Sequence, residues 1–448
     1  MKVLEFARRV LFWTADFLKG GNIRRHLNDV SYIQMNYPNE ESKKRERTYL
    51  IELLEHSVNT VPFYENLKGK VALENFPVVD KAYIRENFEL FRSKKYIDKK
   101  KHKVSTSGST GNPFCIYHNK TKRERNTADT IYFAKENGFE IGARLYYLRL
   151  WDKQYKKSRW LSWMQNIDMQ SVDDLGEKEI EVWLKKFEKD SSTKSLLAYT
   201  SALQSIFKFL DAKKSNSLNT EVNSVIAIAE GLDDYVRKGV QKYFNTEVVS
   251  RYSNSENGII AQQDIGKSNF KINWASYHVE ILDLNHDVPV EHGESGRIVI
   301  TDLFNYCMPM VRYDTGDIGR MVMESDGSLV FSKIEGRKMD MFTNTKGEFI
   351  SSHIVHHILQ FSGIDQFQFI EEENNEYIIK LKVSGNFDYE NEDKLTNRYK
   401  EYFGEDAIIR VEYVDEIPLL ASGKRKLVIN NAMKKLNHQS KSNIAVVS

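Results

Sequence analysis

The chain has 448 residues, 41% of them hydrophobic and 12% aromatic. That length exceeds what one hydrophobic core sustains, so two or more domains are expected. With 65 Lys+Arg against 63 Asp+Glu, the charge balance gives no reason to expect nucleic acid as a partner. Two cysteines, Cys115 and Cys307, are too few for a disulfide framework and suit a reducing cytoplasm. No run approaches the ~20 apolar residues of a membrane span.

In chain order, Val3, Phe6, Ala7, Val10, Trp13 and Phe17 fall at helical spacing and predict an amphipathic first helix. Its uncharged core is too short for a signal peptide. Such a helix either packs on its own protein or makes peripheral contact with a membrane. Packing is favoured, because Glu5 and Asp16 do not favour an anionic surface. Residues up to about 90 read as mostly helical, with a helix over 41–58 that Pro62 breaks.

Next comes Ser105-Thr106-Ser107-Gly108-Ser109-Thr110-Gly111-Asn112-Pro113. Clustered hydroxyls and backbone N–H groups, with glycines that allow positive φ, make a nest for phosphates. The same composition also suits a plain polar loop. The spacing is not that of a P-loop NTPase.

A helix over 121–137, a strand over 144–150, a helix over 196–210, a strand over 223–229, a helix over 233–244 and a strand over 248–252 follow. That alternation predicts an α/β sheet with parallel strands flanked by helices. Short strands at 277–284, 297–302, 317–323 and 328–334 predict a β-rich subdomain. Beyond Gly336 a helix over 352–361, strands over 366–371, 376–382 and 408–413, and a helix over 389–402 predict a small α+β domain.

Tyr252-Ser253-Asn254-Ser255-Glu256 closes a sheet strand, where open α/β sheets bind ligands. An aromatic can stack on a base, a hydroxyl can bond a phosphate, and a carboxylate can hold Mg²⁺. A loop with a stray acid reads equally well. Arg312-Tyr313-Asp314-Thr315-Gly316-Asp317 sets a carboxylate after a Thr-Gly turn, suited to ribose hydroxyls or to a capped turn. Gly336-Arg337-Lys338-Met339-Asp340 marks a linker or hinge, and Ser422-Gly423-Lys424 lies in a basic turn. His353, His356 and His357 read as a helix face in preference to a metal site, and both cysteines as small buried residues.

Together these five stretches resemble the signatures of the adenylate-forming enzymes, in order and spacing. The phenylacetate–CoA ligase-like subgroup and its capsular-polysaccharide relatives are the nearest, on Thr60-Val61-Pro62-Phe63-Tyr64, the stretch from Gly293 to Thr301, and Pro309-Met310-Val311-Arg312-Tyr313. The resemblance implies an N-terminal adenylation domain over 1–335, a hinge over 336–340 and a mobile C-terminal domain over 341–448. It implies activation of a small carboxylic acid by ATP and Mg²⁺ to an acyl-adenylate. Coenzyme A then receives the acyl group; a carrier protein or an amino sugar is the alternative acceptor. A non-catalytic nucleotide-binding module is the rival from another class.

Residue by residue, the resemblance gives Ser107, Gly108, Ser109, Thr110 and Gly111 to the β- and γ-phosphates. Ala229, Glu230, Gly231 and Tyr252 go to adenine, Ser255 to the α-phosphate and Glu256 to Mg²⁺. Asp317 takes the ribose, with Arg337 assisting, and Lys424 the reacting carboxylate and α-phosphate. Trp151, Tyr199, Thr200 and Ser201 are candidate acid-pocket residues by their place between motifs. The chain departs from the wider family at Phe114, where a lysine often follows the loop's proline, and at Met339, the usual pivot position.

Overall fold

The computed structural model describes residues 2–105, 114–151, 156–172, 175–337, 342–347, 349–350, 354–355, 358, 361, 363–385, 387–418 and 427–431. The phosphate-loop residues 106–113, the hinge residues 338–340, the three histidines and Lys424 lie outside them. Two compact units divide the chain: Met1–Thr315 with Gly319–Lys333, and Gly316–Ile318 with Ile334–Ser448.

The first unit begins with three helices, α1 (Lys2–Leu18), α2 (Asn22–Asn36) and α3 (Glu40–Thr60), and a short α4 (Lys81–Glu86). Asn39 caps α3 by accepting from Ser42 N at 2.8 Å, and Asp80 caps α4 by accepting from Tyr83 N at 2.8 Å. A hairpin of β1 (His102–Ser105) and β2 (Cys115–His118) precedes α5 (Lys120–Glu136). The chain then alternates β3 (Arg144–Arg149), α6 (Arg159–Met164), β4 (Ile167–Ser171), α7 (Glu177–Lys189), β5 (Lys194–Tyr199), α8 (Thr200–Ala212), β6 (Val222–Ile228), α9 (Asp234–Phe244) and β7 (Val248–Asn254). Six further strands follow: β8 (Gly258–Gln263), β9 (Phe270–Ile272), β10 (Tyr277–Leu282), β11 (Ser295–Asp302), β12 (Tyr313–Met323) and β13 (Leu329–Arg337).

All but the first hairpin form one eleven-stranded sheet, in the order β10-β11-β12-β13-β9-β8-β7-β6-β5-β3-β4. Strands β4, β3, β5, β6 and β7 pair in parallel, as the alternation predicts. The β-rich stretch forms the antiparallel continuation of the same sheet, entered where β7 turns back into β8. Residues 196–210 are not one helix: Leu196, Ala198 and Tyr199 belong to the buried strand β5, and α8 starts only at Thr200. A short apolar run fits a buried strand or a helix equally well. Strand β6 is buried at six of its seven positions, the pattern of a parallel strand covered on both faces.

Helices α7, α8 and α9 present Ile180, Trp183, Phe187, Leu203, Ile206, Phe207, Val236 and Val240 to these strands. Gly239 lets α9 approach α8: a Cβ there would sit 2.3 Å from the ring of the fully buried Phe207.

The second unit carries the short pair β14 (Phe342–Thr343) and β15 (Phe349–Ile350). Its four-stranded sheet has the order β18-β17-β16-β19, made of β16 (Ile364–Glu371), β17 (Glu376–Val383), β18 (Ile408–Tyr413) and β19 (Val428–Asn430), with α10 (Asn391–Phe403). An aromatic core of Phe342, Phe369, Tyr377, Tyr399 and Phe403 fills it, with Tyr377 stacked on Phe403 at 4.0 Å.

Gly239→Ala tests the packing of the parallel half. Helix propensity alone would favour alanine by about 1 kcal/mol. The ring contact should override it and destabilise the protein by ~1–3 kcal/mol in denaturant unfolding. A stabilised variant would mean that α8 and α9 can move apart freely.

Candidate active site

The sequence between β7 and β8 is Ser255-Glu256-Asn257-Gly258, a turn at the carboxyl end of the parallel set. Burying its carboxylate would be costly without partners. Glu256 is nonetheless 1% exposed. Lys81 Nζ lies 2.6 Å from its Oε1, and the Tyr313 hydroxyl donates to the same oxygen at 2.8 Å. Lys81 reaches this point because Val79 bridges in parallel to Tyr313: Val79 N donates to Arg312 O at 3.1 Å, and Asp314 N to Val79 O at 2.9 Å.

The backbone of the turn is held separately. Burial drives the His118 imidazole down to about 3, so it is neutral, and its Nε2–H donates to Glu256 O at 2.7 Å. Tyr277 donates to Asn257 O at 2.6 Å, and Asn257 N donates to Asn254 Oδ1 at 2.8 Å. Behind Tyr277 stands a fully buried ion pair, Lys122 to Asp302 at 2.6 Å, with Lys122 Nζ 3.1 Å from the tyrosine hydroxyl. Desolvation raises the Asp302 carboxyl, opposed by the adjacent Lys122 ammonium and by the backbone N–H groups of Phe304 and Asn305. Gly258, at φ +116°, passes where a Cβ would lie 3.1 Å from the Tyr277 hydroxyl and 3.0 Å from Asn126 Oδ1.

The neighbouring strand ends complete the edge. After β6, Ala229 takes a left-handed φ of +72°, uncommon for a residue with a Cβ. Glu230 accepts from Ser201 N at 2.7 Å and Ser201 Oγ at 3.1 Å, which ties this loop to the start of α8. Thr200 Oγ1 donates to Glu230 O at 3.3 Å, and Trp151 Nε1 donates to Gln170 O at 3.1 Å. Tyr252 lies in β7, half-buried, its ring edge-on to Phe331 and its hydroxyl 3.3 Å from Thr315 Oγ1. Ser255 is exposed beside it.

Ala229, Glu230, Gly231, Tyr252, Ser255 and Glu256 therefore sit on adjacent strand ends of one unit. Asp317, half-buried in β12, and Arg337, exposed at the end of β13, belong to the second unit. Ser107, Gly108, Ser109, Thr110, Gly111 and Lys424 lie outside the described residues.

Two motif residues are structural. Arg312 is buried at φ +49° and pairs with Glu280 at 3.0 Å, while Asp314 pairs with Arg297 at 2.8 Å. Phe114, where the wider family often has lysine, stacks parallel to Tyr313 at 6.4 Å. Burial pushes the Cys307 thiol up to about 12, which leaves it a poor nucleophile. Sequence reading missed Lys81, His118, Lys122 and Tyr277. Their signal is weak, because each acts across 20 to 175 residues of chain on a single turn.

Among the described residues no group of three or more His, Cys, Asp or Glu could hold a metal. A single carboxylate is still enough for Mg²⁺ when phosphates supply the remaining oxygens. Glu256 fits that role, with Lys81 competing for Oε1.

Comparison with known proteins first gives the class. The fold is that of the adenylate-forming, AMP-forming ligases. The crystal structure of 2-hydroxyisobutyryl-CoA ligase in the postadenylation state matches with TM-score 0.69 over 91% of this chain and 93% of that one, at 16% identity. An anthranilate CoA ligase bound to anthranoyl-AMP matches with TM-score 0.52 at 16% identity, over 77% and 67% of the two chains. The particular resemblance is to CapK. Residues 341–431 match the family model of the CapK C-terminal domain. Protein CapK of Staphylococcus aureus is 25% identical over 387 residues, 82% of this chain and 83% of its own. The likeness read from the sequence, to the adenylate-forming superfamily and its CapK-like subgroup, holds.

Removing one partner of the buried pair should be severe. Lys122→Met leaves Asp302 uncompensated and should cost ~3–5 kcal/mol in denaturant unfolding. Adding Asp302→Leu should recover much of that loss, because the buried charge is gone. A double variant no more stable than Lys122→Met would show that an unpaired Asp302 charge is not the source of the loss.

Proposed function

We propose that this protein activates a small carboxylic acid with ATP and passes the acyl group to coenzyme A. An oxygen of the acid attacks the α-phosphorus of ATP, the bond to the bridging oxygen breaks, and pyrophosphate leaves. The thiol sulfur then attacks the acyl carbon and AMP departs. The observation that carries this reading is the convergence of Tyr252, Ser255, Glu256 and the Ala229–Glu230–Gly231 loop on one carboxyl edge, where such sheets bind nucleotides.

Each residue has a chemical task in this reading. Tyr252 and the loop after β6 line the base, and Ser255 bonds the α-phosphate. Asp317 accepts the ribose hydroxyls with Arg337 beside it. Residues 107–111 cradle the outer phosphates, and Lys424 stabilises charge at the reacting carboxylate and α-phosphate. Glu256 would hold Mg²⁺, which neutralises phosphate charge so that a carboxylate can approach. The anchors on its turn keep that carboxylate oriented, and preorganisation is the chief contribution a protein makes to phosphorus-centred transfer. The stretch 336–340 serves as the hinge between the two units in the same reading. The neighbours' complexes, an acyl-AMP and an anthranoyl-AMP, support the adenylate step by analogy of fold.

The test is pyrophosphate exchange into ATP across aryl, fatty and hydroxy acids. At least one acid should give exchange. With it, Glu256→Gln should move the Mg²⁺ requirement to higher concentration while leaving the affinity for the acid nearly unchanged. No exchange with any acid, from a folded protein that binds ATP, would overturn the reading.

A further inference from the structure

Helix α1 meets the rest of its unit with its polar side. Val3, Leu4, Phe6, Val10, Leu11, Phe17 and Leu18 are all exposed, from 46% at Val10 to 80% at Val3. Their spacing puts them, with Ala7 and Thr14, on one continuous face. The charged residues turn the other way. Asp16 is buried and accepts from Ile23 N at 3.1 Å and Arg24 N at 3.0 Å, so its charge closes the start of α2. Arg9 donates to Ile141 O at 3.3 Å and pairs with Glu140. The backbone at Glu5 lies so close to Gly142 that a Cβ there would come within 2.3 Å of Glu5 O. The helix is thus firmly seated with its apolar face outward, opposite to the packing the sequence favoured.

The surroundings of that face are basic and aromatic. Arg8 lies over the ring of Trp163, and Trp163 and Trp160 on α6 are themselves 64% and 67% exposed. Arg24 stacks on Trp13 at 3.8 Å, and Lys19, Arg24 and Arg25 are exposed just past the end of α1. Neither carboxylate of α1 is exposed: Asp16 is buried and Glu5 half-buried.

We propose that α1 lies in the interface of an anionic lipid bilayer, its apolar face among the acyl chains and the flanking cations on the headgroups. An apolar face rich in Phe, Leu and Val with a cationic rim is the composition of interfacial helices, and exposed tryptophans favour the same depth. A second copy of the chain fits less well, because a two-fold contact would set Lys19, Arg24 and Arg25 against themselves. Spanning is excluded for this helix by Glu5, Arg8, Arg9 and Asp16, and among the described residues no helix is long and apolar enough to cross a membrane.

The experiment is flotation of the full chain with vesicles of phosphatidylcholine alone or mixed with phosphatidylglycerol. The protein should float with the anionic vesicles, far less with the neutral ones, and less again as salt screens the headgroups. Phe6→Glu/Phe17→Glu should weaken partitioning at least ~tenfold with an unchanged thermal midpoint, since both side chains are exposed. Absence of flotation at low salt would overturn the proposal, as would undiminished binding by the variant. So would sedimentation showing a wild-type dimer that the variant converts to monomer, which would make a second copy the occupant.

Discussion

A carboxylate removed from water must be matched by charge and hydrogen bonds, and in this protein that requirement falls on Glu256. Meeting it draws in segments far apart in the chain. Lys81 comes from the edge of the helical region and Tyr313 from the start of β12. The backbone of the same turn is held from elsewhere, by His118 at the end of β2, which donates to the Glu256 carbonyl. Tyr277 fixes the next carbonyl and is itself braced by Lys122 and Asp302. The turn is therefore anchored through backbone and side chain independently. A carboxylate held this way needs little reorganisation when a multiply charged ligand arrives.

The sheet supplies the setting. Its parallel half brings the ends of β3, β5, β6 and β7 to one edge, and its antiparallel half delivers Tyr313 and Tyr277 to the same turn. The change from parallel to antiparallel pairing occurs at β7, and Glu256 sits directly after that strand. Topology and charge compensation thus single out the same four residues, Ser255 to Gly258.

Much of this was legible in the sequence. The alternation of strands and helices gave the parallel set, and the Tyr252 to Glu256 stretch marked the strand end. What stayed hidden has physical causes. The boundary between β5 and α8 is invisible because a buried strand and a buried helix segment are both simply apolar over a few residues. The orientation of α1 is invisible because periodicity defines a face without saying which neighbour covers it. Lys81 and Lys122 look like ordinary surface lysines, since only the folded chain brings them to Glu256 and Asp302.

In the proposed function, nucleotide binds at the carboxyl edge of the parallel strands, on the Glu256 turn. Amide hydrogen exchange, with and without a nonhydrolysable ATP analogue and Mg²⁺, tests it most directly. Protection should rise at 229–231 and 252–257, while the opposite strand ends around 194–196 and 222–225 stay unchanged. Protection confined to those opposite ends, or spread evenly over the unit, would rule out binding on the Glu256 turn.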